Sequence, residues 1–308
     1  MAISTSFRIL VGTGENTTGT YTGIEFGNTG GRIMITRVTG MEVPPIRNNN
    51  GDWSGRDGGY MSSQLYSGRI LTITGFYWDD NASCAIYEGT VLSTSVRERL
   101  ANAFAIRKLY PIFISFTNGK NFYTEGYLTA FNMDYDHYKT GNYQVTFFCP
   151  DYALSIADVY GDPSSIWRHS ELTKEEPGGH LVPEDLPVLF DSGSHASVID
   201  YKGLIPGTPT ITIRGPVTNP VVFNQATGQQ FIMGSIDEPF TLTAGQTMTI
   251  DMDNRQVTVG GKSRSMYINE ASEWINLVPG KNKIYYTTFS EADNGKASIT
   301  WRDLVQGA

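Results

Sequence analysis

The chain has 308 residues and a mass of 34.0 kDa, a length that points to two domains and leaves room for a third. Hydrophobic residues make up 40% and charged residues 18%, which excludes a disordered polyelectrolyte, and no apolar run reaches the length of a membrane-spanning helix. The net charge of −8 sits wholly in residues 151–200, with 2 basic and 10 acidic groups; residues 1–150 carry 12 of each and residues 201–308 carry 9 of each, so no basic cluster marks a specific nucleic-acid partner.

Gly (33), Tyr (17) and Phe (15) are plentiful, which favours strands and turns over helices. Phe7-Arg8-Ile9-Leu10-Val11 and Arg32-Ile33-Met34-Ile35-Thr36-Arg37-Val38 read as strands. The segment between them, Gly12-Thr13-Gly14-Glu15-Asn16-Thr17-Thr18-Gly19, has the glycine spacing of a phosphate loop. Thr20-Tyr21 stands where that loop needs Lys and then Ser/Thr, so it is read as a turn. Residues 41–63 form a long loop by their Pro44-Pro45, Asn48-Asn49-Asn50-Gly51 and Gly55-Arg56-Asp57-Gly58-Gly59 punctuation. That loop also carries Ile46, Trp53, Tyr60 and Met61, an aromatic content that suits contact with a partner as well as packing under the loop itself.

Residues 69–78 alternate and predict a strand. Ser95 with Glu98 fits a capping box, and Val96, Leu100, Ala103 and Phe104 follow on one helical face, with Pro111 ending the pattern. Ile112-Phe113-Ile114-Ser115-Phe116-Thr117, the hairpin signal Asn118-Gly119, and Phe122 to Phe131 come next. Tyr143 to Phe148 is a last strand before Cys149-Pro150-Asp151, where composition and charge change. The expected division is therefore a first domain over 1–150, an acidic linker over 151–185 with one short helix near residues 152–159, and a C-terminal domain over 186–308. The last section spaces strands and turns evenly, as a β-sandwich does: 210–213, 220–223, 247–251, 256–259, 283–286 and 297–302.

Chemistry-bearing patterns are weak. Ser194-His195 near Asp200 has no Gly-x-Ser-x-Gly elbow. Cys149 sits between Phe148 and Pro150 and reads as a buried thiol; with Cys84 it makes the only cysteine pair, too few for a disulfide framework. Asp251-x-Asp253 fails as a calcium loop, because Gln256 and Lys262 stand where Gly and Glu are needed. No Cys/His pair has zinc spacing, and no carboxylate pair for glycoside hydrolysis can be named. The start of the chain lacks an apolar signal-peptide core, so the expectation is a soluble, mainly β protein without a cofactor, made in a reducing cytoplasm and structural or binding in role.

Four stretches carry a resemblance. They are Gly40-Met41-Glu42-Val43-Pro44-Pro45-Ile46-Arg47 with Gly55-Arg56-Asp57-Gly58-Gly59 and the strand 68–75; the helix over 95–109 leading into Pro111-Ile112-Phe113; Val145 to Asp151; and Pro209 to Gly215 with Ile250 to Gly261 and Trp274 to Ile284. In this order they resemble the distal tail protein (Dit) family of long, non-contractile-tailed bacteriophages, the siphovirus-type tail components. The Asn-rich loop at 48–50 and the acidic connection are larger than that family's compact versions.

The resemblance implies an N-terminal β-sandwich or split-barrel ring domain with one helix and a C-terminal galectin-like β-sandwich. It implies a ring at the virion tail tip, typically hexameric, assembled in the bacterial host cytoplasm. Such a ring joins the tail tube protein to the tail-associated fibre or lysin-like protein, in many phages holds receptor-binding proteins, and passes the tape-measure protein and then DNA, with no membrane insertion. On this reading Pro44, Pro45, Arg47, Trp53, Arg56, Asp57 and Tyr60 are candidates for the contact between subunits or rings. A second reading makes the C-terminal sandwich an adhesin for host-wall saccharide, with Trp274 and Trp301, and beside them Tyr285 and Tyr286, as candidate platforms. The alternative for these aromatics is that they fill the sandwich core. A wall-degrading enzyme is the third and weakest reading.

Overall fold

The computed structural model describes residues 7–15, 21–27, 32–61, 63–78, 96–134, 140–174, 196–289 and 293–308. The chain divides into two compact units, Met1–Ile166 with Val305–Ala308, and Trp167–Leu304. The first unit contains strands β1 (Arg8–Glu15), β2 (Tyr21–Phe26), β3 (Ile33–Thr39), β4 (Ile46–Arg47), β5 (Asn50–Asp52), β6 (Gly59–Met61), β7 (Leu65–Tyr66) and β8 (Arg69–Trp78), helix α1 (Val96–Ala103), and then β9 (Leu109–Ser115), β10 (Asn121–Met133), β11 (Thr140–Cys149) and β12 (Leu154–Ala157).

Its main sheet runs β2-β1-β9-β10-β11-β8-β3, antiparallel throughout, with β12 alongside β10. The sheet stays open. Its two edge strands, β2 and β3, follow each other in the chain and share a Gly27 N–H to Ile33 O bond of 2.8 Å but, among the described residues, no ladder. Period-two alternation decides which face is dry. In β8 Leu71, Ile73 and Tyr77 are buried; in β11 Tyr143, Val145, Phe147 and Cys149 are buried. They join Ile9, Val11, Phe26 and Ile112 in one core, which Val96 and Leu100 of α1 cover. Burying each such side chain is worth roughly 1.5–3 kcal/mol.

The helix is shorter than its apolar pattern. It stops at Ala103, Arg107 turns the chain at φ 63°, and β9 begins at Leu109. Pro111 therefore lies in a strand, not after a helix. It sits opposite Glu125 of β10, one residue outside the register with β1, which begins at Ile112, so on the β1 side its missing N–H leaves no ladder bond unmade. The capping Ser95 lies outside the described residues. The expected turn over 12–19 also shifts, since β1 runs on to Glu15 and Gly12 pairs Gly23; residues 16–20 lie outside the described residues.

The second unit contains β13 (Trp167–Leu172), β14 (Ser197–Tyr201), β15 (Thr210–Arg214), β16 (Val217–Thr218), β17 (Val221–Asn224), β18 (Gln229–Ile232), β19 (Thr241–Leu242), β20 (Thr247–Asp251), β21 (Gln256–Val259), β22 (Lys262–Ser263), β23 (Gly280–Thr287) and β24 (Lys296–Arg302). One sheet runs β13-β24-β15-β20-β21-β22 and a second β14-β23-β17-β18, with β16 and β19 paired apart. Ile211, Ile213, Met248, Ile250 and Ile299 of the first sheet and Ile199, Val222, Phe231, Ile284 and Tyr286 of the second fill one core, as a two-sheet sandwich requires.

The acidic stretch is not a plain linker in its described part. Residues 154–157 form β12 rather than a helix, Pro163–Ile166 form a 3-10 turn, and residues 167–172 form the edge strand β13 paired to β24. Residues 175–185 lie outside the described residues.

The β20–β21 turn is held by Asp251. Its Oδ1 accepts the N–H groups of Asp253 and Asn254, both at 3.0 Å, and its Oδ2 accepts Nδ2 of Asn254 at 2.8 Å. Partial burial opposes ionisation, but these donors outweigh it and hold the carboxyl below its ordinary range. Asp251→Ala is expected to cost about 1–2 kcal/mol in urea unfolding at neutral pH. Because the folded-state pKa is the lower one, this contribution is complete above about pH 4 and disappears as the pH falls through the folded value. Wild-type and variant midpoints should therefore converge in acid.

Candidate interaction surface

Residues 41–67 do not wander as a loop. They form a two-stage antiparallel arm. At its root Ile46 pairs Tyr66 and Arg47 pairs Leu65, with Ser67 N–H to Pro45 O at 2.8 Å. Further out Asn50 pairs Met61, Gly51 pairs Tyr60 and Asp52 pairs Gly59. The Tyr60 ring lies directly over Gly51, which has no Cβ to obstruct it. The tip closes with Trp53 N–H to Gly58 O at 3.1 Å, and Gly55 and Gly58 take the positive φ values that the tight turn needs.

Of the predicted contact residues, Pro45, Arg47, Trp53, Arg56, Asp57 and Tyr60 are all exposed on this arm; Pro44 is buried at its base. Trp53 and Tyr60 pack ring to ring, centroids 5.4 Å apart, and the Arg56 guanidinium lies 4.1 Å from the Trp53 ring centroid. These are local contacts between exposed side chains. They stiffen the tip, and the two rings remain 43% and 47% exposed. Val43, Ile46, Met61 and Leu65 are exposed as well.

A second apolar feature escapes any reading of single strands. Leu109, Tyr127, Phe148 and Ile70 are 37%, 40%, 41% and 58% exposed. The register places them side by side: Leu109 opposite Tyr127, Tyr127 opposite Phe148, Phe148 opposite Ile70. They make one row across four neighbouring strands. The Phe148 ring also rests on Gly68, where the arm returns to the sheet. Beyond the row the same face of β8, β10 and β11 carries Thr, Asn and Gln side chains together with Phe76 and Trp78, and Glu125 stands two residues before Tyr127. Thr72 and Thr146 hydroxyls lie 3.2 Å apart, Gln144 stands between Asn132 and Thr74, and Arg37 is the ionised residue paired at the edge.

The saccharide candidates fare differently. Trp301 is buried in the sandwich core and donates from Nε1 to Asp303 Oδ1 at 3.3 Å, so it offers no exposed platform. Tyr285 and Tyr286 are buried too. Trp274 is half-buried against Phe231, 5.1 Å between ring centroids, at the side of a groove with Gln229, Asp253, Arg255 and Glu273.

Burial pushes the Cys149 thiol up to about 11, the reverse of what a nucleophile needs. Ser194, His195 and Cys84 lie outside the described residues. Among the described residues no three His, Cys, Asp or Glu side chains come together as a metal site.

Residues 202–303 match the family model of the siphovirus-type tail component, C-terminal domain. No curated protein sequence matches the chain. Among solved structures, the Dit protein of phage SPP1, titled a paradigm of the hub adsorption apparatus in phages that infect Gram-positive bacteria, aligns over 97% of this chain and 98% of its own, with 13% identity and a TM-score of 0.59. A chain of the phage P2 baseplate in its activated conformation with calcium aligns over 96% and 97%, with 12% identity and a TM-score of 0.42. The chain is thus similar to the siphovirus-type tail components, in sequence over residues 202–303 and in fold over nearly its whole length.

Proposed function

We propose that this protein is a structural hub of a phage tail tip, a homo-oligomeric ring, six-fold in the family pattern, built from its first unit. One observation carries this reading: the first unit exposes both a projecting apolar arm and a flat apolar row, on a fold shared with a phage hub protein. Monomeric proteins rarely leave such contiguous surface open. The two features differ in shape, so an arm that seats on a neighbour's row makes a head-to-tail contact. Such a contact closes into a ring when the rotation between copies permits. The first unit, residues 1–166 with 305–308, carries 12 basic and 15 acidic groups, a small imbalance that lets identical copies approach closely.

The ring joins the tail tube to the fibre or lysin-like protein beyond it and has no catalytic part. The Thr, Asn and Gln face beyond the row is the surface we assign to the channel. It presents no cluster of cations, so passing DNA finds no phosphate clamp.

Solution mass by light scattering, with negative-stain images, tests the assembly. Wild-type protein is expected as a ring of about six copies with a central hole. The pair Ile70→Glu with Phe148→Glu, both on exposed positions, is expected to give a folded monomer, because each seated copy would bury unpaired carboxylates at a cost of several kcal/mol. A wild-type chain that stays monomeric at every concentration, alone and with tail tube protein, would overturn the reading. Rings that survive the double substitution would remove the row from the interface.

A further inference from the structure

Arg69, the first residue of β8, is 1% exposed, yet no carboxylate bonds to its guanidinium among the described residues. Its donors go to backbone carbonyls from three separate parts of the chain. Nη1 reaches Gly40 O at 3.0 Å and Glu42 O at 3.5 Å; Nη2 reaches Gln306 O at 2.8 Å and Tyr152 O. Gly40 and Glu42 lead into the arm. Tyr152 follows β11, and its ring stacks on Tyr66 of the arm's return strand, centroids 5.3 Å apart. Gln306 comes after the whole second unit in chain order.

Residues 305–308 close the arrangement from the other side. Val305 is buried in the first unit's core. Ala308 N–H donates to Met41 O at 3.1 Å. Gly307 lies so near Met41 and Glu42 that an added Cβ would stand 3.2–3.3 Å from their backbone atoms. Glu42 Oε2 in turn accepts the Gly40 N–H at 2.8 Å. A planar guanidinium with donors in a fixed fork dictates where each carbonyl must point. Here the carbonyls it dictates are those of the arm's root and of a segment translated much later.

We infer that Arg69 and residues 305–308 form a clasp that fixes the root of the arm, so that the arm is set for assembly only after the chain has returned from its second unit. Synthesis runs from the N-terminus, so residues 1–166 are made before Gln306 is. Until then two Arg69 donor bonds end on the arm's root with nothing behind it, and Met41 O lacks the Ala308 donor. Arg69 is a positioning residue in this scheme. It acts through the carbonyls it orients. Only the last step, from a fixed root to assembly, rests on the ring proposed above.

The test is amide hydrogen exchange on the full-length protein, with Arg69→Met, with Gly307→Val, whose side chain would push residues 306–308 off Met41 and Glu42, and with both changes. Each single variant is expected to speed exchange at residues 46–47 and 65–67 by about tenfold or more while the amides of β11 keep their protection. The double variant should be no faster than the singles, since both break one device. A purely structural arginine predicts instead that β11 loses protection too and that the two changes add. Either result, or unchanged exchange at the root, overturns the clasp. If Arg69→Met does not fold, Gly307→Val and Gly307→Leu decide alone. Should the wild type form no ring while the exchange pattern holds, the clasp stands and the assembly reading falls. Should Gly307→Val assemble with an unchanged root, the clasp falls and the assembly reading stands.

Discussion

Asp303→Ala is expected to destabilise the second unit by about 2–4 kcal/mol, because it removes the acceptor of three donors at once, one of them charged. The Asp303 carboxylate is 1% exposed. Its Oδ2 accepts Nε of Arg168 at 3.0 Å; its Oδ1 accepts the Lys202 N–H at 3.1 Å and Nε1 of Trp301 at 3.3 Å. Arg168 lies on β13, which among the described residues has its ladder with β24, so the same carboxylate that ends β24 also ties down the sheet's edge. With the carboxylate gone, Arg168 loses this charged acceptor while its side chain is only 18% exposed. Urea unfolding followed by tryptophan fluorescence measures this, since Trp301 reports from the disturbed position. Asp303→Asn retains an acceptor but not the charge and should fall between the two. A loss below about 1 kcal/mol for the alanine variant would mean that Arg168 swings into water at little cost, as exposed pairs do.

What the sequence makes legible follows the range of the forces involved. Alternation in 69–78, the Asn118-Gly119 turn and the evenly spaced strands after residue 200 are local patterns, and the corresponding strands and turn are present. Elements whose identity depends on distant partners were not legible. The apolar spacing of Val96, Leu100, Ala103 and Phe104 suggests a helix running on to Pro111, yet Phe104 leaves the helix to pack against Tyr110, Phe131 and Phe147. Acidic composition suggests a linker where β13 forms, because Trp167, Arg168 and His169 become a strand only through the edge that β24 offers.

The candidate surface divides in the same way. Aromatic and glycine content marked residues 41–63 as unusual, and the residues named there do sit on one projecting arm apart from Pro44. The row of Leu109, Tyr127, Phe148 and Ile70 carried no signal, since each residue is an ordinary member of its own strand. Only the register of four strands brings them together. Arg69 was equally silent. Its place at the start of an apolar strand gives no hint that Gly40, Tyr152 and Gln306 converge on it.

Gly75→Ala should cost the first unit at least about 3 kcal/mol, although alanine is the smallest change a glycine can undergo. Gly75 sits in β8 between β11 and the edge strand β3. A Cβ there would stand 1.8 Å from Met34 O and 2.6 Å from Tyr143 Oη. The Tyr143 ring occupies the space that the missing side chain leaves, and its hydroxyl donates to Met34 O at 2.9 Å. Burial pushes that phenol far above its ordinary pKa, so it remains a donor at every working pH. The methyl group therefore meets a backbone carbonyl and a buried ring together. Relief requires β3 to leave β8 near the bulge between Ile35 and Arg37. Two controls separate the causes. Gly55→Ala, at φ 78° in open space, meets only backbone strain and should cost about 1–2 kcal/mol. Tyr143→Phe removes one hydrogen bond and should cost about 1 kcal/mol. Adding Tyr143→Phe to Gly75→Ala should recover little, because the carbonyl of Met34 stays in place. Near-complete recovery would locate the clash in the ring rather than in the backbone of β3, and a Gly75→Ala cost under about 1 kcal/mol would mean that this edge strand separates easily from its sheet.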